Sequence, residues 1–207
     1  MAAPPVVRPG APEVAGALVA GAVVALPAVG GYRLVVRAGS PEGERQLGSL
    51  AARAGGAGEA RAGETHFWVG DAGAVRQLTE AWSDELAALL ARCWPGPVEV
   101  SVCHGSDTVI VGVPDGRALR KLCRRLGPWR TLALGPGEAA AVAAAFTSAE
   151  VACVVDGGPR RGASPTVVDA TATPLCVLRE GALPASFIEG TMLMSRRRRF
   201  FGRHRRT

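Results

Sequence analysis

The sequence has few of the residues that build metal centres, disulfide frameworks or lysine-dependent phosphate loops. Lysine occurs once, at Lys121, and the three histidines, His66, His104 and His204, are far apart in the chain. The five cysteines form no CxxC pair. This pattern supports neither a zinc site nor a disulfide framework and favours a reducing compartment. We therefore expect a cytoplasmic protein without a structural metal.

Long hydrophobic runs are also missing. The apolar stretch from residue 14 to 26 follows four prolines and ends at Pro27. It is too short to span a bilayer, and the segment before it carries a single arginine, unlike a secretion signal. The sequence therefore predicts neither a membrane span nor an exported protein.

Small and apolar residues dominate what is present. Hydrophobic residues make up 48% of the 207 positions, and there are 27 glycines and 15 prolines. That composition is too apolar for a disordered chain. A compact chain of this length should bury about 70% of its unfolded surface. We expect one folded domain over residues 12–190, preceded by a flexible N-terminus, residues 1–11.

Positive charge is concentrated at the C-terminal end. The chain has a formal net charge of +6, but the seven arginines after Glu189 account for all of it, since the remainder has 17 basic and 18 acidic residues. Residues 191–207 are therefore predicted to be a disordered Arg-rich tail. Arginines with two neighbouring phenylalanines suit contact with RNA phosphates and bases. The tail arginines are Arg196, Arg197, Arg198, Arg199, Arg203, Arg205 and Arg206.

Hydrophobic periodicity predicts alternating helices and strands. Helical spacing and caps occur at 13–20, 40–53, 71–82, 83–92, 115–126 and 138–146. Strand patterns occur at 23–26, 32–37, 65–69, 98–102, 108–113, 131–134, 151–155, 166–169 and 175–178. Residues 54–63 contain four glycines and are predicted to form a mobile loop. The irregular alternation predicts a mixed α/β sheet.

Six short segments, in order, resemble the YrdC family, the threonylcarbamoyl-AMP synthases. Residues 22–27 with Tyr32 and Leu34 are similar to the family's "vvalPTdTvYGL", and residues 94–98 to "wPGPvT". Residues 111–115 are similar to "vRvPd", and residues 154–158 to "viDgG". Residues 166–169 are similar to "STvvD", and 178–181 to "lRxG". The resemblance spans residues 13–185.

The resemblance implies a twisted mixed sheet with helices around a central concave cavity. Family members use ATP, Mg²⁺, threonine and bicarbonate to make threonylcarbamoyl-AMP for tRNA modification, and the fold is also associated with double-stranded RNA. The resemblance also implies which residues bind substrate or nucleotide. These are Pro27, Tyr32, Ser164, Thr166 and Arg179. ATP and Mg²⁺ are thus implied ligands.

Several charged positions depart from the family pattern. Ala51-Ala52-Arg53 stands at the KxR motif, without its lysine, which leaves Arg53 as the candidate catalytic residue. The "vRvPd" arginine is Gly112, and Ala133-Leu134-Gly135 replaces the family's SAN motif. Because fixed cations stabilise the charge that moves during adenylation, losing one commonly costs about 10²–10³ in rate. These departures predict an eroded synthase site.

Some residues also have simpler interpretations. Arg53 could be a solvated helix-end arginine, and Arg179 a surface partner of Glu180. The basic stripe of the predicted helix at 115–126 could track a phosphate backbone, but a solvated face is the better interpretation. The stripe consists of Arg117, Arg120, Lys121, Arg124 and Arg125.

The sequence leads to one main hypothesis and two alternatives. The main hypothesis is a YrdC-like protein that binds nucleotide or RNA, either tRNA or double-stranded RNA, with little synthase activity. One alternative is an active synthase whose missing groups are supplied by other arginines. The other is a non-catalytic subunit that uses the fold as a surface for protein interaction.

Overall fold

The computed structural model describes residues 2–53 and 64–202, with side chains up to residue 194. The loop predicted at 54–63 lies outside the described residues. The described helices are α1 (Pro12–Val19), α2 (Pro41–Arg53), α3 (Ala72–Leu78), α4 (Asp84–Cys93), α5 (Arg117–Leu126), α6 (Ala139–Ala144) and α7 (Ala185–Gly202). The strands are β1 (Val6–Val7), β2 (Val24–Ala28), β3 (Gly31–Arg37), β4 (Thr65–Trp68), β5 (Val98–His104), β6 (Asp107–Gly112), β7 (Trp129–Gly135), β8 (Val154–Val155), β9 (Thr166–Asp169) and β10 (Cys176–Arg179).

The strands form one mixed sheet in the order β1-β8-β2-β3-β7-β4-β6-β5-β9-β10. β1 and β2 pair with β8 in parallel, as do β4 with β6 and β5 with β9, while the other neighbours are antiparallel. The predicted mixed α/β sheet is therefore confirmed. Because side chains alternate along each strand, the sheet presents two distinct faces to its helices.

Helices cover both faces of the sheet. On one face α1 and α5 pack on a core that includes Leu18, Val35 and Trp129. On the other face, α2 and α6 cover one half, around Leu34 and Leu47. The remaining helices, α3, α4 and α7, cover the other half of that same face. This arrangement leaves the middle strands of the first face for polar residues.

The N-terminus is more ordered than predicted. Residues 1–11 were expected to be flexible, but Val6 and Val7 pair in parallel with Val154 and Val155. The backbone N–H of Val154 donates to the carbonyl of Pro5, and that of Asp156 donates to Val7. Hydrophobic periodicity cannot predict an edge strand of only two residues, because such a strand is ordered by its hydrogen bonds to the neighbouring strand.

Two of the helix boundaries that differ from their predictions have a local cause. α3 ends at Leu78 rather than residue 82, because Thr79 is extended and its hydroxyl accepts a hydrogen bond from Ala81. α5 begins at Arg117 after Gly116, and the carboxylate of Asp115 accepts from Arg160 instead of capping the helix. The sequence predicts no helix at 185–202, where the structure has α7.

The folded domain continues past residue 190. The side chains of Ile188 and Met192 are buried in the core beside α4, and the backbone of α7 is helical through Gly202. Residues 203–207 lie outside the described part of the chain. The apolar residues at 188 and 192 are one helical turn apart, which explains why the helix crosses the predicted boundary.

Candidate functional site

Four of the candidate binding residues lie where the β2–β3 hairpin and two loops approach one another. The buried hydroxyl of Tyr32 accepts a hydrogen bond from the N–H of Gly157 and donates to the carbonyl of Gly158, both at 3.1 Å. A Cβ added at Gly157 would lie 2.3 Å from Pro27. Tyr32 therefore ties the hairpin to the loop that follows β8.

Thr166 and Ser164 join the second loop to this region. The buried Thr166 hydroxyl donates to the carbonyl of Leu183 at 2.6 Å and accepts from the N–H groups of Gly181 and Leu183. The carbonyl of Ser164 accepts from the N–H of Ala182 at 2.8 Å. The Thr166 side chain thus has its hydrogen-bonding capacity used within the protein, which makes it a loop anchor.

The hairpin turn explains one departure from the family pattern. Gly30, at a position where the family has threonine, has φ +77°, and its added Cβ would lie 2.9 Å from the carbonyl of Ala163. A threonine would be strained there on both counts. The close approach of the backbone fills the space that a hydroxyl side chain would occupy.

The candidate catalytic residue Arg53 does not join this group. It ends α2 with its side chain 57% exposed and pairs with Glu150. Hydrogen bonds from Arg53 and from the backbone and hydroxyl of Thr147 lower the pKa of Glu150 to about 2. Because Arg53 lies at the surface and already pairs with Glu150, it is not placed to hold a phosphate beside Tyr32.

Arg179 ends β10, after a register shift in the pairing of β10 with β9. Its cross-strand neighbour is Val167, and Val167 is the neighbour of Glu99 on the next strand. The side chain of Arg179 is half-buried at the edge strand β10. Arg179 is therefore at the edge of the sheet, away from its middle strands.

A buried polar network that sequence reasoning missed occupies the middle of this face. Nη2 of Arg33 lies 2.7 Å from Oε1 of Glu99, and Nη1 of Arg33 donates to the hydroxyl of Thr131 at 3.1 Å. Nδ1 of His66 lies 3.5 Å from Oε2 of Glu99, and Arg33 stands over the ring of Trp68. The sequence did carry a signal for this network, because Arg33 and Glu99 each lie among apolar residues of a strand. A charged side chain that is buried is almost always paired with an opposite charge.

The contact also defines the curvature of the sheet. Arg33 is on β3 and Glu99 is on β5, with β7, β4 and β6 between them. In a flat sheet four strand spacings would separate their backbones by about 19 Å. Side chains meeting at 2.7 Å therefore require a strongly curved sheet, and the face that carries the network is concave.

Glu99 is ionised within this network. Its side chain is only 3% exposed. Burial by itself disfavours the charged form, but the adjacent charge of Arg33, with help from His66, lowers the pKa of Glu99 to about 2. The concave face thus contains a carboxylate that is negative at neutral pH and is neutralised by an internal arginine.

Glu99 also fills the space beside Gly112, where the family pattern has an arginine. A Cβ added at Gly112 would lie 3.0 Å from Cγ and 3.1 Å from Oε1 of Glu99. The departures at positions 112 and 33 are therefore linked. Arg33 stands where the family motif has glycine, and Glu99 occupies room that a side chain at 112 would need.

The implied Mg²⁺ finds little support from protein side chains on this face. In the ranges 2–53 and 64–202, no group of three or more His, Cys, Asp or Glu side chains could hold a metal ion. Mg²⁺ commonly takes one or two carboxylates together with substrate phosphates. Glu99 is the carboxylate at the centre of the network, and Arg33 already occupies it.

The remaining predicted contacts are at the C-terminal end. Arg196–Arg199 lie on the helical backbone of α7, and Arg203, Arg205 and Arg206 lie outside the described residues. Among the helices described here, none has both the length and the hydropathy to cross a membrane.

Comparison with known proteins identifies relatives of this chain. The profile of the Sua5/YciO/YrdC family, described as "Telomere recombination", matches residues 16–181. A comparison with curated sequences gives no match. A variant of P. abyssi Sua5 superposes with a TM-score of 0.75 at 25% identity, covering 92% of this chain and 63% of that one. P. abyssi Sua5 complexed with L-threonine gives 0.74 at 24% identity, covering 90% and 60%.

One relative is matched over nearly all of its own length. E. coli YciO superposes with a TM-score of 0.74 at 15% identity, covering 89% of this chain and 98% of that one. The chain thus spans less than two thirds of the P. abyssi Sua5 structures. The profile match covers well over half of the sequence. The chain therefore belongs to the Sua5/YciO/YrdC family, which is linked to the synthesis of threonylcarbamoyladenosine in tRNA.

Proposed function

We propose that this protein is an RNA-binding member of the family that lacks threonylcarbamoyl-AMP synthase activity. The observation that carries the proposal is the buried ion pair of Arg33 and Glu99 beside Gly112. A synthase site must offer cations to a triphosphate. Here Arg33, the cation in the middle of the concave face, is already paired with Glu99 of the protein itself.

The energetics of the pair argue against its exchange for a phosphate. If Arg33 turned to a phosphate, the Glu99 carboxylate would remain buried without its partner. Breaking one side of a buried ion pair typically costs about 3–5 kcal/mol. The approaching phosphates would also meet the negative charge of Glu99. The site is therefore better suited to holding the sheet together than to binding ATP for adenylation.

The C-terminal arginines supply the RNA-binding part of the proposal. Without them the chain has a net charge of −1, which gives no long-range attraction to a polyanion. Four consecutive arginines, Arg196–Arg199, continue from a helix that is anchored in the core by Ile188 and Met192. Each phosphate that they neutralise would release condensed counterions and so favour binding at low salt.

The synthase half of the proposal is tested by pyrophosphate release. Purified protein is incubated with ATP, Mg²⁺, threonine and bicarbonate, and pyrophosphate is followed over time. We expect turnover at least about a hundredfold below that of an intact synthase assayed beside it, from the loss of fixed cations. Comparable turnover, dependent on threonine and bicarbonate, would establish the alternative of an active synthase with a diverged site.

The RNA half is tested separately by fluorescence anisotropy with labelled tRNA and a duplex RNA. We expect binding that weakens steeply with salt and shows little sequence preference. Absence of binding at low salt would reject it. Either half can then fail without the other.

A further inference from the structure

A groove of about 460 Å³ lies between the beginning of α1 and the first turns of α5. This volume is within the usual range for small-molecule sites, about 300–1,000 Å³. None of the residues of the Arg33–Glu99 network or of the Tyr32 loop cluster lines it. Its apolar lining comes from Pro12, Val14, Ala15, Ala118, Leu119 and Leu122.

The lining is aliphatic. Val14 is buried, and Leu119 and Leu122 are half-buried beside it. Among its lining residues there is no aromatic ring on which a base could stack and no Ser, Thr, Asn, Gln, Asp or Glu side chain to read a polar edge. Such a surface favours a saturated hydrocarbon chain, whose transfer from water is worth about 0.8 kcal/mol per buried CH₂.

Two cations stand at the rim of the groove. Lys121 and Arg125 are exposed and four residues apart on α5, so they lie on the same side of the helix. Within the described residues neither forms an ion pair, in contrast to Arg124, which lies 3.6 Å from Asp71. The groove therefore combines an aliphatic wall with positive charge that no carboxylate of the described chain neutralises.

We propose that this groove binds an aliphatic carboxylate, with the hydrocarbon chain against Val14, Leu119 and Leu122 and the carboxylate at Lys121 and Arg125. This ligand places its apolar and charged parts against matching parts of the groove. A nucleotide fits less well, because its base would bury polar edges against groups that cannot hydrogen-bond with them. The inference is independent of the proposed RNA binding and of the synthase site.

The test is calorimetric titration of the full chain with decanoate below its micellar concentration. We expect saturable binding with one site per chain, and about tenfold weaker binding of decan-1-ol, which has the same chain length without the charge. Lys121→Ala with Arg125→Ala should weaken decanoate binding about tenfold, as expected for loss of charge-assisted hydrogen bonds. Both side chains are exposed, so the variant should fold.

Matched variants distinguish the groove from general attraction to a basic helix. Arg117→Ala with Arg124→Ala removes the same charge from α5 outside the groove lining and should leave decanoate affinity within about twofold. Ala118→Leu, at an exposed lining position, should reduce binding by narrowing the groove. No saturable binding of decanoate, equal weakening by the two double variants, or tighter binding of ATP than of decanoate with the same dependence on Ala118 would overturn the proposal.

Discussion

Oε1 of Glu99 lies 2.7 Å from Nη2 of Arg33 although three strands separate the strands that carry them. The contact spans the concave face and joins the two halves of the sheet. Its members come from sequence segments 66 residues apart, and both side chains are less than a tenth exposed. This one pair links the curvature of the sheet, the departure at Gly112 and the loss of free cations from the family's site.

Glu99→Gln should destabilise the protein strongly. The neutral amide leaves the guanidinium of Arg33 buried without a counter-charge, which typically costs about 3–5 kcal/mol. Replacing both partners, Arg33→Met with Glu99→Leu, should cost much less, because neither variant side chain carries a charge into the core. Urea unfolding of the two variants measures the difference. Equal losses of stability would show that the pair acts through packing alone.

The same carboxyl predicts a specific acid sensitivity. The pKa of Glu99 is about 2 in the folded protein, against an ordinary value of 4.5. A depressed pKa contributes stability that is complete above about pH 4.5 and is lost as the pH falls toward about 2. The Glu99→Gln variant should therefore have a flatter stability profile across this window than the wild type. Parallel profiles in urea melts at several pH values would contradict this prediction.

Restoring the family's arginine at position 112 should require the removal of Glu99. Gly112→Arg alone places a Cβ 3.0 Å from Cγ of Glu99 and should destabilise the fold. Gly112→Arg with Glu99→Ala removes this obstacle and places a second guanidinium beside Arg33 on the concave face, at a cost in stability like that of Glu99→Gln. We expect the double variant to bind ATP at least about tenfold more tightly than wild type by calorimetry. Unchanged affinity in a folded double variant would mean that position 112 does not face the nucleotide.

Thr166 should be a structural anchor rather than a ligand. Its hydroxyl makes three hydrogen bonds with the backbone of Gly181 and Leu183. Thr166→Val keeps the shape and should cost about 1–3 kcal/mol by leaving those buried groups unsatisfied, whereas Thr166→Ser should retain most of the stability. Thermal melts of the two variants, with RNA affinity measured alongside, check this. A Val variant as stable as wild type would reject the anchoring role.

Deletion of residues 195–207 should remove most of the RNA affinity. The seven arginines are lost, while Ile188 and Met192 remain to hold α7 in the core. The salt slope of binding should flatten by about 0.7 to 0.9 per lost phosphate contact, and the melting temperature should change little. Anisotropy titrations at several salt concentrations measure this. A truncated protein with its affinity and slope intact would instead point to the basic stripe of α5.

The sequence by itself was sufficient for the fold class and most elements. Alternating apolar positions predicted the strand that begins at Val98, and a proline at the first turn predicted the start of α2, because these signals depend on neighbours along the chain. The spacing of six motifs predicted the family. Local signals could not predict that α7 begins at Ala185, because its apolar residues are buried only by packing against α4.

Only the tertiary structure decided which polar residues meet. Arg53 matches a family motif in sequence, yet it pairs with Glu150 at the surface. Arg33 and Glu99 match no charged residue of a family motif, yet the curvature of the sheet brings them into contact on the concave face. Motif spacing describes distance along the chain, whereas an ion pair depends on distance through space. For Arg33 and Glu99 the distance through space is set by how strongly the sheet curves between β3 and β5.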